Sequence, residues 1–190
     1  VRIGKYRIDF DNFVKFFGIW VSEGCTTKTG KRKFVVVSQS RSSKYYLEIK
    51  SLFDALKVKY IQCKSGEKGV QFRIEDIDFY NYFKDFGKSE DKYIPKVIKN
   101  ASSKSLSLFL DWYIKGDGHI KRNKAIHFVS KSEKLIDDLQ EICIKLGIGC
   151  TKQNNKNCFR METHKTKTGK DKWYSKLMPR NFSFEKYIGK

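Results

Sequence analysis

Proline is nearly missing from this chain. Two prolines and 13 glycines among 190 residues leave few obligatory breaks, and an apolar fraction of 39% is enough for a real core. No apolar run approaches the roughly 20 residues of a membrane-spanning helix, and no N-terminal signal pattern is present. An intracellular protein without membrane insertion is therefore expected. The five cysteines (Cys25, Cys63, Cys143, Cys150 and Cys158) are odd in number and show no CxxC spacing, which fits reduced thiols better than a disulfide framework or a zinc site. His119, His127 and His164 show no metal-ligand spacing either. Acidic residues are also short: 21 Asp and Glu face 40 Lys and Arg, a formal charge of +19. Such a field attracts a polyanion, and with no membrane signal the expected polyanion is nucleic acid.

Two stretches organise what is present. Phe16-Phe17-Gly18-Ile19-Trp20-Val21-Ser22-Glu23-Gly24 and Leu110-Asp111-Trp112-Tyr113-Ile114-Lys115-Gly116-Asp117-Gly118 each close a helical apolar pattern with a small residue, one carboxylate and a glycine. Apolar positions 13, 16, 17, 20 and 21, and again 106, 109, 110, 113 and 114, follow the spacing of a helix that buries one stripe. The carboxylate arrives at the C-terminal end of the helix, where the macrodipole is negative and an acid is unfavourable unless a cation stands beside it. Two such helices packed together would bring Glu23 and Asp117 to one end, which outlines a metal site.

The order of elements after each acid repeats. Hairpins are expected over 25–40 and 60–75, with a helix over 43–57 between them and a short aromatic helix through Phe79, Tyr82, Phe83 and Phe86 ended by Gly87. From Gly118 the same order restarts, with hairpin 119–130, helix 132–146 and a hairpin turning at Asn154-Asn155-Lys156-Asn157. The offset between equivalents shrinks in small steps from Glu23/Asp117 through Val58/Ile148 to Phe72/Phe159, as it does when loops shorten and elements persist. This is an internal duplication, with halves 1–100 and 101–190 forming one unit about a pseudo-twofold axis. The correspondence fails after Glu162, where Lys165–Lys172 reads as a basic turn or loop.

The paired nonamers resemble the signature motifs of the LAGLIDADG homing endonucleases in their two-motif, single-chain, intein-type form. Position eight carries the acid, seven is small and nine is glycine. Glu23 departs from the usual Asp, and Trp112 stands where the family has a small helix-contact residue, which suggests a looser or offset crossing. The resemblance implies an α/β (α+β) fold of duplicated αββαββα halves, with the motif helices central and antiparallel sheets forming a DNA-binding saddle. It implies metal binding by Glu23 and Asp117 and by the backbone carbonyls of Ser22 and Gly116, with two or three Mg²⁺ ions. It gives Lys92, in Lys92-Tyr93-Ile94-Pro95, the role of the basic residue that polarises the water or stabilises the developing charge; Lys176 is the expected partner in the second half. The tail Glu185–Lys190 faintly resembles the re-entry into a splicing domain, but no flanking splicing blocks are present.

Strand alternation predicts the DNA readers. Gln62, Lys64, Gln71, Arg73 and Glu75 should face away from Ile61, Cys63, Phe72 and Ile74, and Thr151, Gln153, Arg160 and Glu162 away from Cys150, Phe159 and Met161. A strand ribbon suits the major groove, where Arg reads guanine and Gln adenine. Lys28, Lys31, Arg32, Lys121, Arg122 and Lys124 at hairpin tips suit phosphates. The expected function is Mg²⁺-dependent cleavage of both strands of a long asymmetric DNA site by a monomer. The alternatives are a catalytically silent DNA-binding regulator of this type or an intron RNA maturase. A basic RNA-binding structural protein is a third reading, against which the chain lacks RNP-type strands and a KH-like glycine loop.

Overall fold

The computed structural model describes residues 1–120, 125–155 and 158–163. A small hairpin, β1 (Arg2–Ile3) and β2 (Tyr6–Arg7), precedes helix α1 (Phe10–Glu23). Asp9 caps α1 by accepting from the Asn12 N–H at 3.0 Å, and satisfies one of the donors that every helix start leaves open. Then come β3 (Gly24–Thr29), β4 (Arg32–Ser40), α2 (Tyr46–Ala55), β5 (Ile61–Ser65), β6 (Gly69–Glu75) and α3 (Ile77–Phe83), which runs into a 3₁₀ turn over Lys84–Phe86. A short helix α4 (Lys96–Lys99) leads to α5 (Ser103–Asp117), followed by β7 (His119–Ile120), β8 (Ile126–Ser130), α6 (Glu133–Lys145), β9 (Cys150–Asn155) and β10 (Cys158–Thr163). The first hairpin and α4 are additions to what periodicity predicts; a two-residue strand or a single helical turn is too short to carry a period.

The duplication is visible in the topology. Two antiparallel four-stranded sheets have the orders β3-β4-β6-β5 and β7-β8-β10-β9, so each half arranges equivalent strands alike. One side of each sheet packs on helices. Val35, Val37, Val70, Phe72 and Ile74 from the first sheet, and Ile126, Phe128 and Met161 from the second, join one continuous core with α1, α5 and α6. Among the described residues no helix packs on the other side. Among the described residues no helix is long and apolar enough to cross a membrane.

α1 and α5 pack against each other along the centre. Gly18 makes this possible, because a Cβ there would fall 2.7 Å from the Phe109 carbonyl oxygen and 3.2 Å from the Tyr113 nitrogen. The crossing is thus tight, contrary to the looseness expected from Trp112. Only one of the two facing positions has to be small. Trp112 turns its ring under Lys115, whose Nζ lies 4.3 Å from the ring centre. Lys115 in turn binds Glu48 of α2 (2.5 Å) and Asp111 (3.1 Å), tying the second motif helix to the first half.

Candidate active site and nucleic-acid face

Both motif helices end side by side. A Cβ on Gly116 would fall 2.1 Å from the Ser22 Oγ and 2.8 Å from Cγ of Glu23, so only glycine lets the second helix end lie against the first acid. The Ser22 hydroxyl turns back to the Ile19 and Gly18 carbonyls at 3.0 and 3.3 Å. Glu23 is half-buried and Asp117 is exposed. Both carboxyls are nonetheless raised above the ordinary carboxylate range. Desolvation is the main cause at each, the Asp117 charge adds to it at Glu23, and Lys92 pulls both back.

Lys92 is the third member of the group. It is 7% exposed, and its Nζ donates to the carbonyls of Val21 (2.9 Å) and Gly24 (2.8 Å) while lying 5.4 Å from the centre of the Trp20 ring. Burial lowers its pKa; the charges of Asp117, Cys25 and Glu23 oppose that shift. A cleft of about 430 Å³ opens beside it, lined among others by Ser22, Lys92, Asp117, Lys131 and Cys158.

α6 of the second half holds Lys92. Its N-cap Ser132 accepts from the Leu135 N–H at 3.1 Å and donates to the Lys92 carbonyl at 2.6 Å. Asp138, 3% exposed, accepts from the Ile94 N–H (2.8 Å) and from Lys99 (2.7 Å). Nothing in the sequence pattern marks Ser132 or Asp138 for this role. Tyr113 was missed as well: its hydroxyl is buried without a hydrogen-bond partner among the described residues, and burial and then the charges of Asp117 and Glu23 push its pKa up.

Among the described residues Glu23 and Asp117 are the acids of the site. Among the described residues no group of three or more His, Cys, Asp or Glu side chains is placed to hold a metal. A pair of acids raised by desolvation, with the Asp117 charge adding to the shift at Glu23, fits a hard divalent cation that keeps waters and takes few protein ligands.

The helix-free faces carry most of the sequence-predicted readers. In the first sheet Gln71, Arg73 and Glu75 lie there, with Arg32. The Arg73 Nε and Nη2 donate to Gln71 Oε1 at 3.0 and 2.6 Å, and Arg32 forms a two-pronged ion pair with Glu75 that holds the acid's pKa down. Both guanidiniums lie over Phe34, at 5.2 and 5.8 Å. In the second sheet Arg160 pairs directly with Gln153 and Glu162 with Thr151, on the corresponding face.

Gln62 and Lys64 are corrected. They pair with Phe72 and Val70 and therefore share the helix-side face, where the Tyr46 hydroxyl donates to Gln62 at 2.9 Å. Ile61 and Cys63, expected inside, are the residues that share the face of Arg73 and Gln71. A one-residue error of phase moves a whole strand to the other side, and an edge strand with two apolar residues facing out invites it. Lys28 lies opposite Lys33 with both amines 5.5 Å from the Tyr80 ring, and Lys31 is exposed at the tip. Lys121, Arg122, Lys124 and Lys176, with His164, the 165–172 stretch and the tail, lie outside the described residues.

Comparison with known proteins agrees with this geometry. Residues 105–174 match the LAGLIDADG-like domain family. The chain is 22% identical over 156 residues to the ATP-dependent Clp protease proteolytic subunit of Chlamydomonas moewusii, covering 76% of this chain and 15% of that one. It is 26% identical over 159 residues to the DNA-directed RNA polymerase subunit Rpo1C of Methanocaldococcus jannaschii, covering 80% and 18%. The chain therefore spans less than a fifth of these curated relatives. Among solved structures, the homing endonuclease I-DmoI in complex with DNA and Mn superposes with a TM-score of 0.61 at 15% identity, over 82% of this chain and 91% of that one. The homing endonuclease I-WcaI bound to its DNA recognition sequence gives 0.55 at 16% identity, over 90% and 81%. The chain has the fold of these homing endonucleases, and residues 105–174 of its second half match the LAGLIDADG-like domain family.

Proposed function

We propose that this chain cuts both strands of a specific duplex DNA site in a divalent-metal-dependent reaction, Mg²⁺ being the expected ion. The observation that carries this reading is the convergence of Glu23, Asp117 and the buried Lys92 at the paired ends of α1 and α5. Such a hydrolysis needs an activated water and neutralised charge at the phosphate. A divalent ion supplies the Lewis acid and the charge. Glu23, Asp117 and the carbonyls of Ser22 and Gly116 are the groups that would hold it. In this reading Lys92 takes a proton from water. A neutral amine has two N–H groups, and the Val21 and Gly24 carbonyls accept two bonds from Nζ, so the lone pair is left for the cleft.

The curated relatives support an inserted, intein-like origin: a protease subunit and an RNA polymerase subunit have unrelated activities, yet each contains a segment similar to this chain. Two non-identical sheets on one chain support the reading of a monomer that acts on asymmetric half-sites.

The test is incubation with a randomised duplex library in Mg²⁺, and separately in Ca²⁺ or EDTA. Discrete double-strand cuts that need Mg²⁺, and that vanish in Asp117→Asn and Glu23→Gln while binding persists, are expected. Binding without cuts under every metal would replace this reading with the regulator or maturase alternative.

A further inference from the structure

Among the described residues six large apolar side chains are exposed, and four of them (Leu47, Ile77, Val97 and Ile144) lie on helices. The other two, Ile61 and Val129, lie on the helix-free sheet faces and are each 39% exposed. Their neighbours are what matters. Ile61 stands directly across from Arg73, and Val129 directly across from Arg160. These two arginines are equivalent under the internal duplication, so each half places one arginine and one exposed branched apolar residue side by side.

We infer that Ile61 and Val129 are specificity-determining residues that seat thymine C5-methyl groups in the major groove, each beside the base pair its arginine reads. The inference rests on the proposed function. An exposed aliphatic group on a charged face has one apolar feature to meet in the major groove of unmodified DNA, the thymine methyl. Facing residues on neighbouring strands have Cβ atoms roughly 4.5–5.5 Å apart, more than one base-pair rise of about 3.4 Å and less than two. The thymine therefore belongs to the pair next to the guanine.

The two halves do not present this pair in the same way. Ile61 comes from the edge strand β5, whereas Val129 comes from the inner strand β8. The positions that symmetry would use instead are closed or polar: Val36, across from Arg73 on β4, is 2% exposed, and Gln153 faces Arg160 from β9. The thymine thus lies on opposite sides of the guanine in the two half-sites, and a perfect palindrome is disfavoured.

The experiment uses the full chain. A preferred duplex is selected from a random library in Ca²⁺, and each of its thymines is replaced in turn by deoxyuridine, which removes the methyl alone. Losing one buried methyl weakens binding about fourfold. One sensitive thymine per half is expected, each next to a guanine·cytosine pair. Ile61→Ala abolishes the sensitivity in the first half and Val129→Ala in the second, with unchanged melting temperatures because both side chains are exposed. Uniform tolerance of deoxyuridine, or sensitivity that survives both variants, overturns the inference and leaves the DNA reading standing. A library that yields no preferred duplex overturns both.

Discussion

Lys92 is a lysine in an unusual place. Burial disfavours its charge, while Glu23, Asp117 and Cys25 favour it, and the first effect prevails. A base must be unprotonated to act, so cleavage should rise with pH and level off below the range of an ordinary lysine, about 10.4. The two acids set the other limb. Both are raised, so metal binding and cleavage should fail on acidification at a pH above the usual carboxylate range. Single-turnover rates measured across pH on a cleavable duplex check both limbs. Lys92→Met should lower the rate about 10²–10⁴-fold with little change in DNA affinity.

The same acids affect stability in a way that separates metal from fold. A carboxyl whose pKa is higher folded than unfolded binds more protons in the folded state. Stability therefore falls as pH rises from the unfolded value through the folded one, and the loss persists above it. Without metal at neutral pH, Glu23→Gln and Asp117→Asn should each raise the melting temperature. Partial exposure limits the gain to about 1 kcal/mol, or roughly 2–4 °C for a chain of this size. The gain should shrink near pH 4. Adding Mg²⁺ should stabilise the parent chain and not the variants. Calorimetry with and without metal measures this, and variants that melt below the parent at neutral pH would contradict the raised carboxyl pKa values.

At the scale of elements, the linker between the halves is the least symmetric part and the most consequential. Lys92 comes from the first half, yet α6 of the second half holds it: Ser132 donates to the Lys92 carbonyl and Asp138 accepts from the Ile94 N–H two residues on. A positioning role predicts that Ser132→Ala lowers the cleavage rate by between about tenfold and a hundredfold at unchanged DNA affinity. Ser132→Thr keeps a hydroxyl as cap and donor and should restore the rate. Loss of the N-cap alone would cost about 1 kcal/mol of stability and leave the rate per folded molecule alone. Rates taken well below the melting temperature distinguish the two.

This linker also shows what a sequence can and cannot reveal. The motif helices are legible because Phe13, Phe16, Phe17 and Trp20 repeat at helical spacing and are all buried. β6 and β10 are legible because Phe72 and Ile74, or Phe159 and Met161, alternate with polar residues over one buried face. β5 is not, since an edge strand half-covered on one side carries no reliable polarity. Ser132 and Asp138 are not legible because their partners lie far away in sequence, and an N-cap serine looks the same whether or not it also holds a lysine backbone. Lys92 could be found among so many lysines because Ile94-Pro95 stands beside it.

For the whole molecule the formal charge of +19 overstates what DNA would meet, because many cations are already engaged. Lys99, Lys115, Lys145 and Lys152 each bind an acid within 3 Å, and Arg32 is tied to Glu75. Among the described residues Lys31 stays exposed at the tip between β3 and β4, where a phosphate can reach it. A protein making about 6–10 phosphate contacts loses roughly 10³–10⁵ in affinity between about 50 and 200 mM salt. A loss in this range is expected here. The variants should divide by role. Lys31→Ala at an exposed tip should weaken all duplexes equally and reduce the slope of log affinity against log salt by about one. Arg73→Ala should leave that slope nearly unchanged and relax the preference for guanine at one position, at a cost of about 1–3 kcal/mol on the selected duplex. Fluorescence titrations of selected and scrambled duplexes at several salt concentrations give both numbers. Equal slopes and equal base preferences in the two variants would mean that the helix-free faces do not divide the work between backbone and bases.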